Sequence, residues 1–284
     1  MGLMWACGMG FPAHAQDATP GTATYSWDQW AEDIRSTRWE TGATVAGVTA
    51  LGIYSWDWGS SKRFRWNPEG WFGAETGSGG ADKLGHAFTS YTLTNLLTDR
   101  LVRQGRSVER AGLSAALTTQ AIMLYVEVFD AYSDDHGFSR EDVAMNLLGS
   151  SLAYARAVYP ALHDRLDFRM AYSPSGLRGF KPLSDYEGQK YLLALKLGGF
   201  ESLRTTPLRF VELQAGYYAR GFSEAAQARG DGRSRHTFVS LGLNLNELLF
   251  GRQADTEGEI KRGARMFFEH VQLPSGTSLK DWQR

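Results

Sequence analysis

The sequence predicts an α+β protein: a helical bundle of about four helices, then a small antiparallel β-sheet and a C-terminal amphipathic helix. Two observations carry this. Residues 26–164 divide into apolar, helix-forming stretches bounded by capping residues, glycine-rich loops and a proline. After residue 165 the hydrophobic period becomes two. Tyr191, Leu193, Leu195 and Leu197 alternate with Leu192, Ala194 and Lys196; Val211, Leu213, Ala215 and Tyr217 alternate with Glu212, Gln214 and Gly216; Val239, Leu241, Leu243 and Leu245 alternate with Ser240, Gly242 and Asn244. That alternation marks half-buried antiparallel strands.

Along the chain, Leu3 to Phe11 is a short apolar run, and Ala13-His14-Ala15 places small residues where a signal peptidase cuts. Residues 1–15 therefore read as a signal peptide, despite lacking a basic start. Cys7, the single cysteine, leaves with it, so the mature chain relies on packing rather than disulfides. Residues 16–25 are small and polar and read as a linker. Ser26 with Gln29 forms a capping box for a helix from Trp27 to about Trp56. Residues 57–81 are aromatic and glycine-rich, hence a loop. Helices follow over about 82–104 and 107–132. Ser139 caps a fourth over about 140–158, which stops before Pro160. Residues 26–164 thus form the helical domain, 165–250 the β region, and 251–284 a C-terminal helix (255–271) with an irregular tail. None of the helices shows ~20 unbroken apolar residues; Asp99, Arg100 and Arg103 interrupt one, Glu127 and Asp130 another. Three or four strands cannot close a membrane barrel, which starts at eight, so the sheet is expected to pack on the helices.

Composition narrows the function. With 284 residues, 43% hydrophobic and 21% charged, the chain has ordinary globular composition and enough length for a real core. A net charge of -1 offers no basic footprint for nucleic acid. Nine Trp and twelve Tyr suit a membrane or envelope interface.

Polar pairs on three helices carry the chemistry. Asp82 and His86 are i,i+4 and share a face; Glu127 and Asp130 are i,i+3 in an otherwise apolar helix; Asp142 and Asn146 are i,i+4 on the fourth. Each has a structural reading. Asp82 caps its helix, Asp142 completes a capping box with Ser139, Lys83 is solvated or paired, and Asn146 bonds a neighbouring helix. Glu127 resists that reading, because it lies between Val126 and Val128 and a buried charge needs a partner or a metal. Asp82, His86, Glu127, Asp130, Asp142 and Asn146 are therefore the candidate polar site. Of these, Asp82, His86, Glu127 and Asp130 are the candidate ligands of a divalent metal, with Asp142 and Asn146 behind them. The Glu-x-x-His repeat of di-iron bundles and the G-x-S-x-G elbow of serine esterases are both missing. His136 sits in a loop beside Asp134 and Asp135 and is expected to be exposed.

Gly79-Gly80-Ala81-Asp82-Lys83-Leu84-Gly85-His86, followed by Tyr91, Glu127, Asp130, Gly137-Phe138-Ser139, Asp142, Asn146 and Gly149, resembles the YfiM-like family of predicted periplasmic lipoproteins, a domain of unknown function. The likeness covers roughly residues 65–160. The Asp-Lys-x-x-His opening and Asp-x-x-x-Asn-x-x-Gly close are also similar to VanZ-like membrane proteins. The resemblance implies a periplasmic or outer-membrane-associated location and a helical core built around these positions; it implies no reaction. Three functions stay open: an envelope protein with a structural polar core, a metal-dependent hydrolase or transferase acting on a lipid or cell-wall substrate, and a membrane-embedded VanZ-like protein.

Overall fold

A computed structural model describes residues 25–177, 180–251, 258–273 and 277–283. The expected signal peptide and all but the last residue of the linker lie outside the described residues.

The chain enters through α1 (Trp27–Ser36), opened by the Ser26/Gln29 capping box. It continues as α2 (Arg38–Ser55). The single helix expected from Trp27 to Trp56 is thus two. At Thr37 the hydroxyl donates to the carbonyl of Asp33 at 2.9 Å, and the backbone leaves helical geometry (φ -109°, ψ 19°). Such local side-chain bonds compete with the helical ladder. A loop then leads to α3 (Ala81–Arg103), α4 (Val108–Asp130) and α5 (Arg140–Val158). These three pack closely on one another, α1 and α2 lie against α4, and Ser139 caps α5 as expected. On length and composition α4 is apolar enough to cross a membrane, and half of that stretch is buried inside the protein. Its charged residues lie near its ends, which is why the interruptions at Glu127 and Asp130 do not disqualify it.

After a short α6 (Pro160–His163) come β1 (Leu166–Tyr172), β2 (Gln189–Lys196) and β3 (Val211–Arg220). A short α7 (Glu224–Ala228), β4 (Ser234–Leu243) and α8 (Leu245–Phe250) follow. The C-terminal part holds α9 (Glu259–His270), β5 (Val271–Gln272) and β6 (Thr277–Gln283). The sheet has six strands in the order β5-β1-β2-β3-β4-β6, with β1 and β5 parallel and the other pairs antiparallel. It is larger than three or four strands and mixed. The tail expected to be irregular supplies the edge strand β6, whose register slips between Val239 and Ser240. A bulge of this kind hides period two in the sequence.

Gln214 of β3 and Gln272 of β5, which stand three places apart in the strand order, meet at 3.3 Å, so the sheet curls. Its inner face buries Asp167, Arg169, Glu212, Gln214, Ser240 and Gln272, while Leu193, Leu213, Leu241 and Leu243 stand exposed on the outer one. Arg169 makes a two-pronged bond to Glu212, 2.8 Å on each arm. Asp167 accepts from Arg156 at 2.7 Å, from Lys196 at 2.7 Å and from Arg169. Arg156 on α5 also donates to Tyr91 on α3, so one buried network ties helices to sheet. Phe168 and Tyr191 pack from the sheet against Ala87, Tyr91, Met145 and Ala153. This joint holds α3 in place.

Candidate functional site

Helix α3 starts where the glycine-rich loop turns sharply. Gly80 sits at φ 85°, and a side chain there would strike Phe72 and the Trp71 carbonyl. That turn brings Asp82, Lys83 and His86 to the centre of the bundle. On the far side, Gly149 of α5 lies so close to α3 that a methyl group would collide with the Ala87 carbonyl. This approach carries Asp142 and Asn146, on the same helix, against the residues of α3.

Two linked clusters result. In the first, His86 Nδ1 is 3.3 Å from Glu127 Oε1 and 3.3 Å from Asn146 Oδ1. Asn146 Nδ2 donates to Glu127 Oε1 at 3.4 Å, the Ser139 amide donates to Glu127 Oε2 at 3.5 Å, and Ser90 donates to Asn146 Oδ1 at 3.0 Å. His86 Nε2 lies 3.9 Å from Asp142 Oδ2. Gln120, one helix over, donates to the Asn146 carbonyl at 2.8 Å and to Ser150 at 2.7 Å, fixing α4 against α5.

The second cluster surrounds Lys83, which is 1% exposed. Its ammonium contacts Glu69, Asp82 at 3.1 Å and Asp142 at 2.9 Å. Lys83 is thus a buried counter-ion rather than a solvated residue. Asp82 does not cap its helix; the N-cap is Gly80, and the Asp82 carboxylate accepts from Ser78 and Lys83. Asp142 takes its backbone cap from Ser139, but no reciprocal capping box forms.

The expected metal-ligand set changes accordingly. One donor atom each from His86, Glu127 and Asp142 lie within 4.8 Å of one another. Asp142, expected behind the ligands, moves to the front. Asp82 groups instead with Glu69 and Asp142. Asp130 belongs to neither triplet and is held by the Trp58 indole at 2.5 Å. Its i,i+3 spacing keeps it beside Glu127 on α4, but its carboxylate is taken up by Trp58. Glu69, missed by the sequence reading, reaches the cluster from a loop, where no periodicity marks it. His136 is half-buried and borders the same cavity as His86, so it is not the exposed loop residue expected.

Electrostatics follow from a surplus of acids. Glu69, Asp82, Glu127, Asp130 and Asp142 face one lysine and one central imidazole. Burial pushes Glu127 up to about 8, with His86 opposing. Burial likewise pushes Glu69 up to about 7 against the pull of Lys83, and raises Asp130 despite its bond from Trp58. Burial acts to lower His86, but Asp142 and Glu127 overcome it and hold the imidazole above its ordinary value. Asp82 is also opposed by burial, yet Lys83 and Ser78 keep it below the usual carboxylate range.

His86, Asp82, Asp130, His136 and Asp142 border a cavity of about 930 Å³ that runs from the space between α2, α3 and α4 to the segments 182–191 and 219–223. Its remaining walls include Val48, Leu51, Phe88, Leu93, Leu96 and Met123.

Fold and site together define an α+β protein whose helical core buries a histidine–carboxylate cluster beside a cavity. Residues 68–158 match the family described as predicted periplasmic lipoprotein (DUF2279), a domain of unknown function. That segment holds every residue of both clusters and stops before the sheet. No curated protein and no solved structure gives a match.

Proposed function

We propose that this chain is an exported cell-envelope protein whose helical domain holds a divalent cation between His86, Glu127 and Asp142. The observation that carries the reading is the convergence of these three donors within 4.8 Å, at a place where buried carboxylates outnumber cationic groups. An imidazole with two carboxylates suits first-row divalent ions. Bonds near 2.0–2.2 Å in tetrahedral geometry set ligand atoms about 3.4 Å apart, so a contraction of at most about 1.4 Å closes the triplet. The family description supports a periplasmic location. Export with signal cleavage near Ala15 remains part of this proposal.

The test is titration calorimetry of the folded protein with zinc and with manganese after exhaustive chelation. One ion per chain in the wild type, lost in His86→Ala, supports the site. Equal heats in both proteins refute it.

A second reading has its own support. Lys83 already neutralises part of Asp82, Asp142 and Glu69, and Asn146 and Ser139 donate to Glu127. A purely structural polar core would need no ion, and Glu127→Gln would then cost stability alone.

The exposed leucines on the outer sheet face, with the aromatic content, support association with a membrane surface. Fractionation of cell envelopes with carbonate and urea separates peripheral association from the embedded, VanZ-like alternative. Release by carbonate supports the peripheral form; retention through both washes supports the embedded one.

A further inference from the structure

The cavity has two arms that meet at the cluster: one lined by Ser184, Asp185, Glu187 and Gln189, and one between α2, α3 and α4 that is graded along its length. On α3, Asp82, His86, Thr89, Leu93 and Leu96 form one stripe that borders the cavity, acidic at its start and apolar at its end. On α4, which follows through a short connection, Met123, Val126 and Asp130 form the opposing stripe with the same polarity. On α2, Thr44, Val48 and Leu51 close the third side. Helix α2 packs on α4 but meets α3 through the Glu40–Arg100 ion pair at 2.6 Å, which leaves the groove between α2 and α3 unfilled below it. From His86 to Leu96 the helical rise is about 15 Å.

The walls of the arm between α2, α3 and α4 select against polar polymers. Apart from the hydroxyls of Thr44, Thr89 and Thr92, the far end offers little to hydrogen-bond, and a buried saccharide would lose its water bonds without replacement. An aliphatic chain loses nothing there, and each methylene it buries adds to the affinity. Leu51 and Leu96, 37% and 43% exposed, stand at an entrance. The head has to match the other end. With Lys83 and His86 already engaged by carboxyl groups, that end offers an anion no free cation unless a divalent ion supplies one. Such an ion, held by only three protein donors, keeps positions open for the oxygens of a ligand.

We infer that the cavity binds a single-chain amphiphile, its tail between α2, α3 and α4 and its phosphate oxygens completing the coordination of the ion at His86, Glu127 and Asp142. The inference rests on the cation reading above, and the experiment keeps the two apart. Binding of monooleoyl phosphatidate, uncharged monoolein and inorganic phosphate is measured on full-length folded protein, with zinc and after chelation. Metal binding is followed in parallel by calorimetry.

The expected result is that monooleoyl phosphatidate binds at least about tenfold more tightly with zinc than without, and more tightly than either monoolein or inorganic phosphate. Leu96→Trp, at the exposed entrance where folding tolerates it, should weaken that amphiphile while leaving zinc binding intact. Leu93→Arg should do the same more strongly, with circular dichroism confirming that it folds. Zinc binding without binding of any amphiphile overturns this inference and spares the cation site. Monoolein and phosphatidate binding equally, with or without zinc, also overturns it, because the head then plays no part. Phosphate binding as tightly as the phosphatidate shows a free-anion site and overturns the role of the tail. Failure to bind zinc removes the cation reading and this inference with it.

Discussion

His86 of α3 and Glu127 of α4 face each other across the bundle at 3.3 Å, while Lys83, one turn earlier on α3, gathers Glu69, Asp82 and Asp142. The two basic groups of one helix thus divide the carboxylates between them. Lys83 brings a permanent charge to its share. Asp142 lies between the two groups, so the His86 imidazole meets both Glu127 and Asp142, and there a cation gains most.

Replacing Glu127 by Gln keeps the shape and removes the charge. Asn146 and Ser139 donate to different oxygens of Glu127, so one donor keeps the amide oxygen as acceptor and the other loses its bond, the longer one to the Ser139 amide being the weaker. On the cation account the fold survives with a change of about 1 kcal/mol or less, whereas zinc affinity falls about tenfold or more. Thermal unfolding and calorimetry on the same preparation check both.

Lys83→Met has the opposite profile. It strands three carboxylates around a buried site, and breaking a buried pair by removing one partner costs about 3–5 kcal/mol. Urea unfolding should show that loss. Added divalent cation should restore part of it, since an ion at Asp142 and its neighbours offsets the same charge.

Gly149→Ala tests how closely α3 and α5 approach. The added methyl collides with the Ala87 carbonyl, and overpacking of a fitted contact costs about 1–3 kcal/mol. Because the helices separate, the Asn146–His86 bond is lost too. A lower melting temperature together with weaker zinc binding is expected; unchanged stability would show that the helices can shift at no cost.

Asp33 supplies a pH prediction away from the cluster. Burial opposes its charge, but Arg110, Ser114 and Arg106 overcome this and hold the carboxyl below its ordinary range. The Arg110 and Arg106 bonds measure 2.9 and 2.7 Å, and they dock α1 on α4 and the turn before it. A depressed folded-state value means that the stabilisation is complete above the unfolded value, about 3.9, and fades as pH falls through the folded one. Asp33→Asn should therefore lower stability at neutral pH and flatten the acid limb of a stability–pH curve below about pH 4.

Much of this arrangement can be read from the sequence, and the exceptions have physical causes. Helices α3, α4 and α5 are legible because capping serines and glycines bound long apolar stretches. Glu127 stands out because a mid-helix acid among valines needs a partner. The break at Thr37 is illegible, since it hangs on one hydroxyl-to-carbonyl bond inside a helix-forming stretch. Strand β1 is masked because Asp167 and Arg169 point into the sheet and invert the usual pattern of buried apolar residues. Strand β6 is masked by its bulge, and Glu69 by its place in a loop. Asp142 is legible as a member of the polar site, but its three-residue spacing from Ser139 also fits a capping box, and only the approach of α5 to α3 at Gly149 shows that its carboxylate meets Lys83 and His86.

The most direct test of the central claim is elemental analysis of the protein purified from the cell envelope without chelator, beside His86→Ala prepared identically. The cation account predicts about one divalent ion per folded wild-type chain and a loss of about tenfold or more in the variant. Wild-type protein without stoichiometric metal, or the same metal content in both, would contradict it.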